Sequence, residues 1–190
     1  MSNVIDVWGR LRHRMSRLKY RYRKEPAVKT IRGNWRSMRR DELWTERVHD
    51  TYKVTYKPQE PARCPDCGAA FHGGRWTWAS VDNAHEVRCP ACHRIRDAFP
   101  AGYLRIAGPF LADHREEILQ LVRHREQHEK AEHPLERIMA IEDLEGGLMV
   151  TTTDIHLARQ LGEALHAAYK GDLEFHYNDS ENLLRVSWTR

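Results

Sequence analysis

The chain's only four cysteines fall in two matched steps, Cys64-Pro65-Asp66-Cys67 and Cys89-Pro90-Ala91-Cys92. Two residues between sulfurs let one tight turn aim both thiolates at a single ion, with backbone N–H groups of the turn facing them. Gly68 suits the first knuckle, because a residue without Cβ takes a positive φ at no steric cost. Residues 68–88, 21 in all, separate the two pairs, close to the C-x2-C…C-x2-C spacing of zinc ribbons. The chemistry this implies is a tetrahedral Zn(II) site ligated by Cys64, Cys67, Cys89 and Cys92. Four thiolates leave no coordination position for water, so the ion would hold structure and perform no catalysis.

Other uses of these cysteines fit less well. Cys89 to His93 also matches C-x-x-C-H, the attachment sequence of a c-type haem, but that reading leaves Cys64 and Cys67 without a task. Haem attachment also requires export. Met1 to Val7 is short and mixed, and Arg10 to Lys24 is charged where a signal peptide needs an apolar stretch, so a cytoplasmic location is expected. A thioredoxin-like pair needs a βαβ setting that neither step has, and disulfides need an oxidising compartment. His72, His85 and His93 lie close enough in sequence to replace a cysteine. With four thiolates present they read as surface or packing residues. His124 and His128, four apart on an expected helix, lack a third ligand and read the same way.

Charge is distributed unevenly. Residues 1–40 carry 13 Lys and Arg against Asp6 and Glu25, while the remaining 150 residues carry 18 basic and 25 acidic side chains. The surplus concentrates in Arg10 to Lys24 (RLRHRMSRLKYRYRK). Arginine presents a planar fork to phosphate, and tyrosine stacks on unpaired bases. Arg10, Arg12, Arg14, Arg17, Lys19, Tyr20, Arg21, Tyr22, Arg23 and Lys24, with Arg32, Arg36, Arg39 and Arg40, are therefore the expected nucleic-acid contacts. A solvated solubility tail is the plain alternative. A membrane-binding arm would need a continuous apolar face, which the run lacks.

These residues must be positioned by a scaffold. Residues 1–45 read as an extended or partly helical basic arm. Asp50 to Lys57 alternates Tyr52, Val54 and Tyr56 against Lys53, Thr55 and Lys57, as a strand does. The zinc ribbon is expected over 46–110, with short strands between the knuckles. Trp76 and Trp78, two apart, share a strand face; they read as cover for the small ribbon core or its join to the next unit, ahead of a base-stacking platform. Turns at Pro100 to Gly102 and Gly108-Pro109 break up the stretch after the second knuckle. Asp113, with Glu116 as capping-box partner, opens a connecting helix over 111–134, and Glu126, Glu129 and Glu132 read as its solvated face.

Residues 135–190 carry the clearest globular pattern. Strands are expected at Arg137 to Glu142 and Leu148 to Thr152 around Gly146-Gly147. A helix capped by Asp154 follows and ends at Gly171, and a hairpin runs over Leu173 to Tyr177 and Leu183 to Trp188. The order β-β-α-β-β predicts a helix across one face of an antiparallel sheet, a two-layer α+β unit. The fold class is thus α+β.

The segments CPDCGAAFHGGRW, CPACHRIRDAFPAG, HPLERIM and TTDIHLARQLGEALHAAYKGDL resemble a family of poorly characterised bacterial zinc-ribbon proteins. More loosely, the paired knuckles and the TTDIHLARQLGEAL helix are similar to the export adaptor of the large ribosomal subunit in archaea and eukaryotes. That resemblance implies a ribosome-associated protein, and only Cys64, Cys67, Cys89 and Cys92 carry over from it, as metal ligands. The expected function is non-enzymatic RNA binding, with ribosomal RNA as partner and ribosomal proteins as further contacts; a stress or hibernation factor is one role of this kind. A protein-interaction module or adaptor is the alternative. No nucleophile elbow, phosphate-binding glycine loop or H-E-x-x-H motif marks an enzyme, and neither a small-molecule substrate nor a membrane partner is expected.

Overall fold

The structure, a computed structural model, describes residues 35–38, 52, 58–178 and 182–190. All of them belong to one unit, Arg32–Arg190; the unit Met1–Ile31 lies outside the described residues. So do Arg10 to Lys24, Arg32, Arg39 and Arg40, and the expected strand at Asp50 to Lys57 apart from Tyr52. The described residues form an α+β fold with two sheets. No helix of the described residues is long and apolar enough to cross a membrane.

The small sheet is made of β2 (Ala62–Arg63), β3 (Ala70–His72), β4 (Arg75–Thr77) and β5 (His85–Glu86), in the order β4-β3-β2-β5. It lies where the ribbon is expected. α1 (Pro90–Asp97) then starts inside the second knuckle.

The large sheet has six strands: β1 (Trp35–Met38), β6 (Gly102–Ala107), β7 (Ile138–Leu144), β8 (Gly147–Thr152), β9 (Asp172–Asn178) and β10 (Leu183–Thr189). Their order is β1-β9-β10-β6-β8-β7. Two expectations change here. β6, assigned by sequence to the ribbon's trailing turns, is a central strand, pairing parallel with β10 and antiparallel with β8. The sheet is therefore mixed and not antiparallel. Arg36, expected on an arm, lies on β1, an edge strand in register with Tyr177 of β9.

Alternation along the strands sorts the two faces. Leu104 and Ile106, Leu148 and Val150, Phe175 and Tyr177, and Leu184, Val186 and Trp188 are buried on one face. α2 (Phe110–Glu132) and α3 (Ile155–Tyr169) cover that face, contributing Ile118, Leu119 and Val122, and Leu157, Leu161 and Leu165. α3 lies so close that a Cβ on Gly162 would stand 2.6 Å from Val186 Cγ1 and 3.0 Å from Leu173 Cδ1. Asp154 caps α3 as expected, its Oδ1 accepting from His156 N–H at 2.6 Å.

α2 is not a mere connector, and it starts before Asp113. Phe110 opens it by stacking on His114 (4.0 Å between centroids) and packing near Tyr169 and Trp188, so aromatic burial sets the start in place of a side-chain cap. The backbone leaves helical geometry at His114 (φ −119°, ψ 21°), one residue past the expected cap. The acidic face is also only partly solvated. Glu126 Oε1 accepts from Ile138 N–H at 2.8 Å, and Glu129 is buried with Arg125 Nε 3.1 Å away; Glu132 alone of the three is exposed.

Candidate metal centre

Register brings the two knuckles together. β2 pairs parallel with β5 (Ala62 with His85, Arg63 with Glu86), and Val87 N–H continues the ladder to Arg63 C=O at 3.0 Å. Two parallel strands deliver their C-terminal ends to the same edge, so Cys64 and Cys89 emerge side by side. Cys89 N–H donates to Cys64 Sγ at 3.3 Å.

Each knuckle then turns differently. After Cys64 the chain closes a tight turn, with Gly68 N–H on Cys64 C=O (2.9 Å) and Cys64 N–H on Ala69 C=O (2.8 Å). Gly68 has φ +79°, the conformation the sequence reading assigned to it. The second knuckle is a helix start that the sequence did not announce. Cys89 is the N-cap of α1, its sulfur accepting from Cys92 N–H at 3.4 Å, and Pro90 fills the first helical position, where no N–H is needed.

The four sulfurs lie within 4.8 Å of one another, with Cys67 and Cys89 Sγ 3.8 Å apart and all four cysteines free. A tetrahedral ion with metal–sulfur bonds of about 2.3 Å spaces its ligands by about 3.8 Å, so the cluster has the size of a four-thiolate site. Cys64, Cys89 and Cys92 are buried, and Ala91, Trp76 and Leu135 pack around them. The donor set is compatible with zinc binding. Among the described residues no other group of three or more His, Cys, Asp or Glu side chains is arranged to hold an ion. His72, His85, His93, His124 and His128 are all exposed.

One member of the site gave no signal in the sequence. Arg137, just before β7, is 6% exposed and inserts its guanidinium among the sulfurs. Nη1 lies 3.3 Å from Cys92 Sγ; Nη2 lies 3.1 Å from Cys67 Sγ and 3.7 Å from Cys89 Sγ. Nε donates to Pro134 C=O at 2.6 Å. The thiols respond unequally. Burial works against the Cys67 thiolate, but the Ala69 N–H and the Arg137 guanidinium outweigh it and bring the thiol down to about 7. Burial pushes Cys92 up to about 11 and Cys89 higher still. An ion must displace those protons, so its affinity rises with pH.

Trp76 and Trp78 take the structural role expected of them. Trp76 packs on Phe71 (5.5 Å between centroids) and on the cysteine cluster. Trp78 donates from Nε1 to Lys130 C=O of α2 at 2.6 Å, joining the ribbon to the large sheet with α2 and α3, hereafter the large unit. It keeps 41% of its surface exposed. Across the knuckles, Arg88 pairs with Asp66 and, chiefly through that hydrogen bond, holds the carboxyl below its ordinary range, with Arg96 and His93 adding to the effect. Of the expected nucleic-acid contacts only Arg36 falls on described backbone. Comparisons with protein-family models, curated proteins and solved structures return no match.

Proposed function

We propose that the chain is a non-enzymatic RNA-binding protein, associated with the ribosome in the cytoplasm, whose ribbon is held by a structural Zn(II) ion. The observation that carries this reading is the charge division: 13 Lys and Arg against two acidic residues over 1–40, and an acidic surplus over the remainder. A polyanion would meet attraction from the first segment and mild repulsion from the rest, so it would be engaged through that segment. The ribbon adds a compatible surface. Arg63, Arg75, His93 and Arg96 are exposed there, and Ile95 and Phe99 stand 43% and 39% exposed beside the last two. Zinc is favoured over iron because a closed four-thiolate set of C-x2-C pairs is its commonest structural use.

Binding of the full chain to ribosomes and to single-stranded ribosomal RNA fragments should weaken steeply with salt. The log–log slope should approach about −0.7 for each neutralised phosphate. Removal of residues 1–31, which leaves β1 in place, should abolish association. Binding that is flat across salt, or that survives the deletion, would refute the RNA reading and favour contact with a protein partner. Metal analysis of the purified chain should return one zinc per four cysteines.

A further inference from the structure

Arg137 belongs to both halves of the described structure at once. Its backbone is fixed in the large unit: Arg137 N–H donates to Thr153 Oγ1 at 2.9 Å, and Thr153 N–H donates back to Arg137 C=O at 2.9 Å. Thr153 Oγ1 also donates to Leu135 C=O at 2.6 Å, which pins the segment leading into β7. The guanidinium, by contrast, is spent on the ribbon. Its side-chain partners are three cysteine sulfurs and the Pro134 carbonyl, with the Trp78 ring 5.8 Å away.

This arrangement has an electrostatic consequence. A divalent ion held by four thiolates carries a net charge of −2, which a buried site tolerates poorly unless a cation or several N–H donors face it. Arg137 supplies that cation and donors to three sulfurs. Conversely, a buried guanidinium needs an anion, and the thiolates are what it has. Each charge is tolerable because the other is present.

We propose that Arg137 is the positioning residue that makes metal binding and docking of the ribbon onto β7 a single event. The loaded centre holds the guanidinium in place. The guanidinium in turn fixes the Arg137–Thr153 pair at the start of β7. Loss of the ion removes the anionic partner, and the ribbon and the β7 start loosen together. The inference rests on the metal reading above.

The test uses the full chain with Zn(II) and with Co(II) as a coloured substitute. Arg137→Met should weaken Zn(II) binding, measured against a chromophoric chelator, by about 10- to 100-fold, the usual cost of losing a group that supports metal ligands. In the Co(II) form its sulfur-to-metal absorption should move to lower energy, because thiolates stripped of N–H donors give up electron density more readily. Arg137→Lys, which keeps the charge but loses the fork, should fall between Met and wild type on both readouts. In the wild type, Zn(II) should slow amide exchange at Arg137 and Thr153 while leaving Val186 of β10 unchanged. Wild-type affinity and spectrum in the Met variant would overturn the proposal. If that variant does not fold, equal exchange at Thr153 with and without Zn(II) in the wild type overturns it instead. Wild-type protein that takes up neither Zn(II) nor Co(II) would sink the metal reading and this inference with it.

Discussion

Between Ala62 and Asp97 the buried apolar side chains are four alanines (62, 69, 70 and 91), three cysteines and Phe71. Between Ala101 and Trp188 they are mostly Leu, Ile, Val, Phe, Tyr and Trp, joined in one cluster under two helices. Apolar burial contributes roughly in proportion to area, at about 25 cal/mol per Å². The large unit can be held by that alone. The ribbon cannot, because its strands are two or three residues long and its interior is made of small side chains. On the proposed metal reading, what the ribbon lacks in area comes from ligand bonds that tie the two knuckles together. Two regions of one chain thus reach order by different means, and each should respond to a different insult.

With the proposed ion bound between the four sulfurs, its removal is the largest perturbation available. A structural zinc site supplies about 10 to 16 kcal/mol of apparent free energy at neutral pH, more than the whole stability of many domains. Cys89→Ser, or a strong chelator, should therefore unfold the ribbon, so that amides of 62–97 exchange at unprotected rates. Amides of β9 and β10 should keep their protection. If exchange mapped by mass spectrometry shows β9 and β10 opening too, the two regions are one cooperative block and the contrast between them fails.

The reciprocal insult is smaller. Trp188 is fully buried, donates from Nε1 to Lys170 C=O at 2.7 Å, and lies beside Phe110 and Tyr169. Trp188→Ala should cost the large unit about 3 to 5 kcal/mol, read as a lower denaturant midpoint. Zn(II) affinity should remain at its wild-type value. A matching loss of metal affinity would mean that the ribbon depends on the large core more than its own packing implies.

The same division explains which features could be read from the amino acids alone. The cysteine pairs are legible because ligand chemistry imposes a local spacing, and Asp154, Gly146-Gly147 and the stripe of α3 are legible because caps, turns and helical periodicity are local too. β6 was hidden. Gly102 and Gly108 bracket five residues that look like a turn-bound fragment, and its partners on β10 and β8 stand 82 and 44 positions away by register (Leu184 against Gly102, Met149 against Arg105). Parallel pairing across such a span leaves no local mark. α1 was hidden because one proline served two readings: Pro90 suits a metal knuckle and a helix start equally well. Arg137 is one arginine among many in the sequence, and only the fold aims it at sulfur. The acidic stripe of α2 misled for a related reason: Glu126 and Glu129 have the periodicity of a solvated face, but β7 and α3 come to rest against it.

Glu136 refines the comparison, since it stands at the seam beside Arg137 and belongs electrostatically to the large unit. Burial, then the Asp154 and Glu129 carboxylates, raise its carboxyl to about 8, with Arg125 only partly opposing them. Its Oε2 is buried without a hydrogen-bond partner among the described residues. The folded state therefore binds a proton more tightly than the unfolded chain, whose carboxyl titrates near 4.5. The stabilising effect of that proton is complete below pH 4.5 and is lost as pH rises through about 8. Glu136→Gln, which keeps the shape and removes the titration, should leave stability unchanged near pH 4 and raise it at pH 8 to 9. The gain should be on the order of 1 kcal/mol, since part of the side chain remains in water and is screened. Denaturant unfolding followed by tryptophan fluorescence across that pH range checks it. The gain should also appear in metal-free protein, because Asp154, Glu129 and Arg125 are all residues of the large unit. A pH effect that disappears when zinc is removed would place Glu136 on the ribbon's side of the seam.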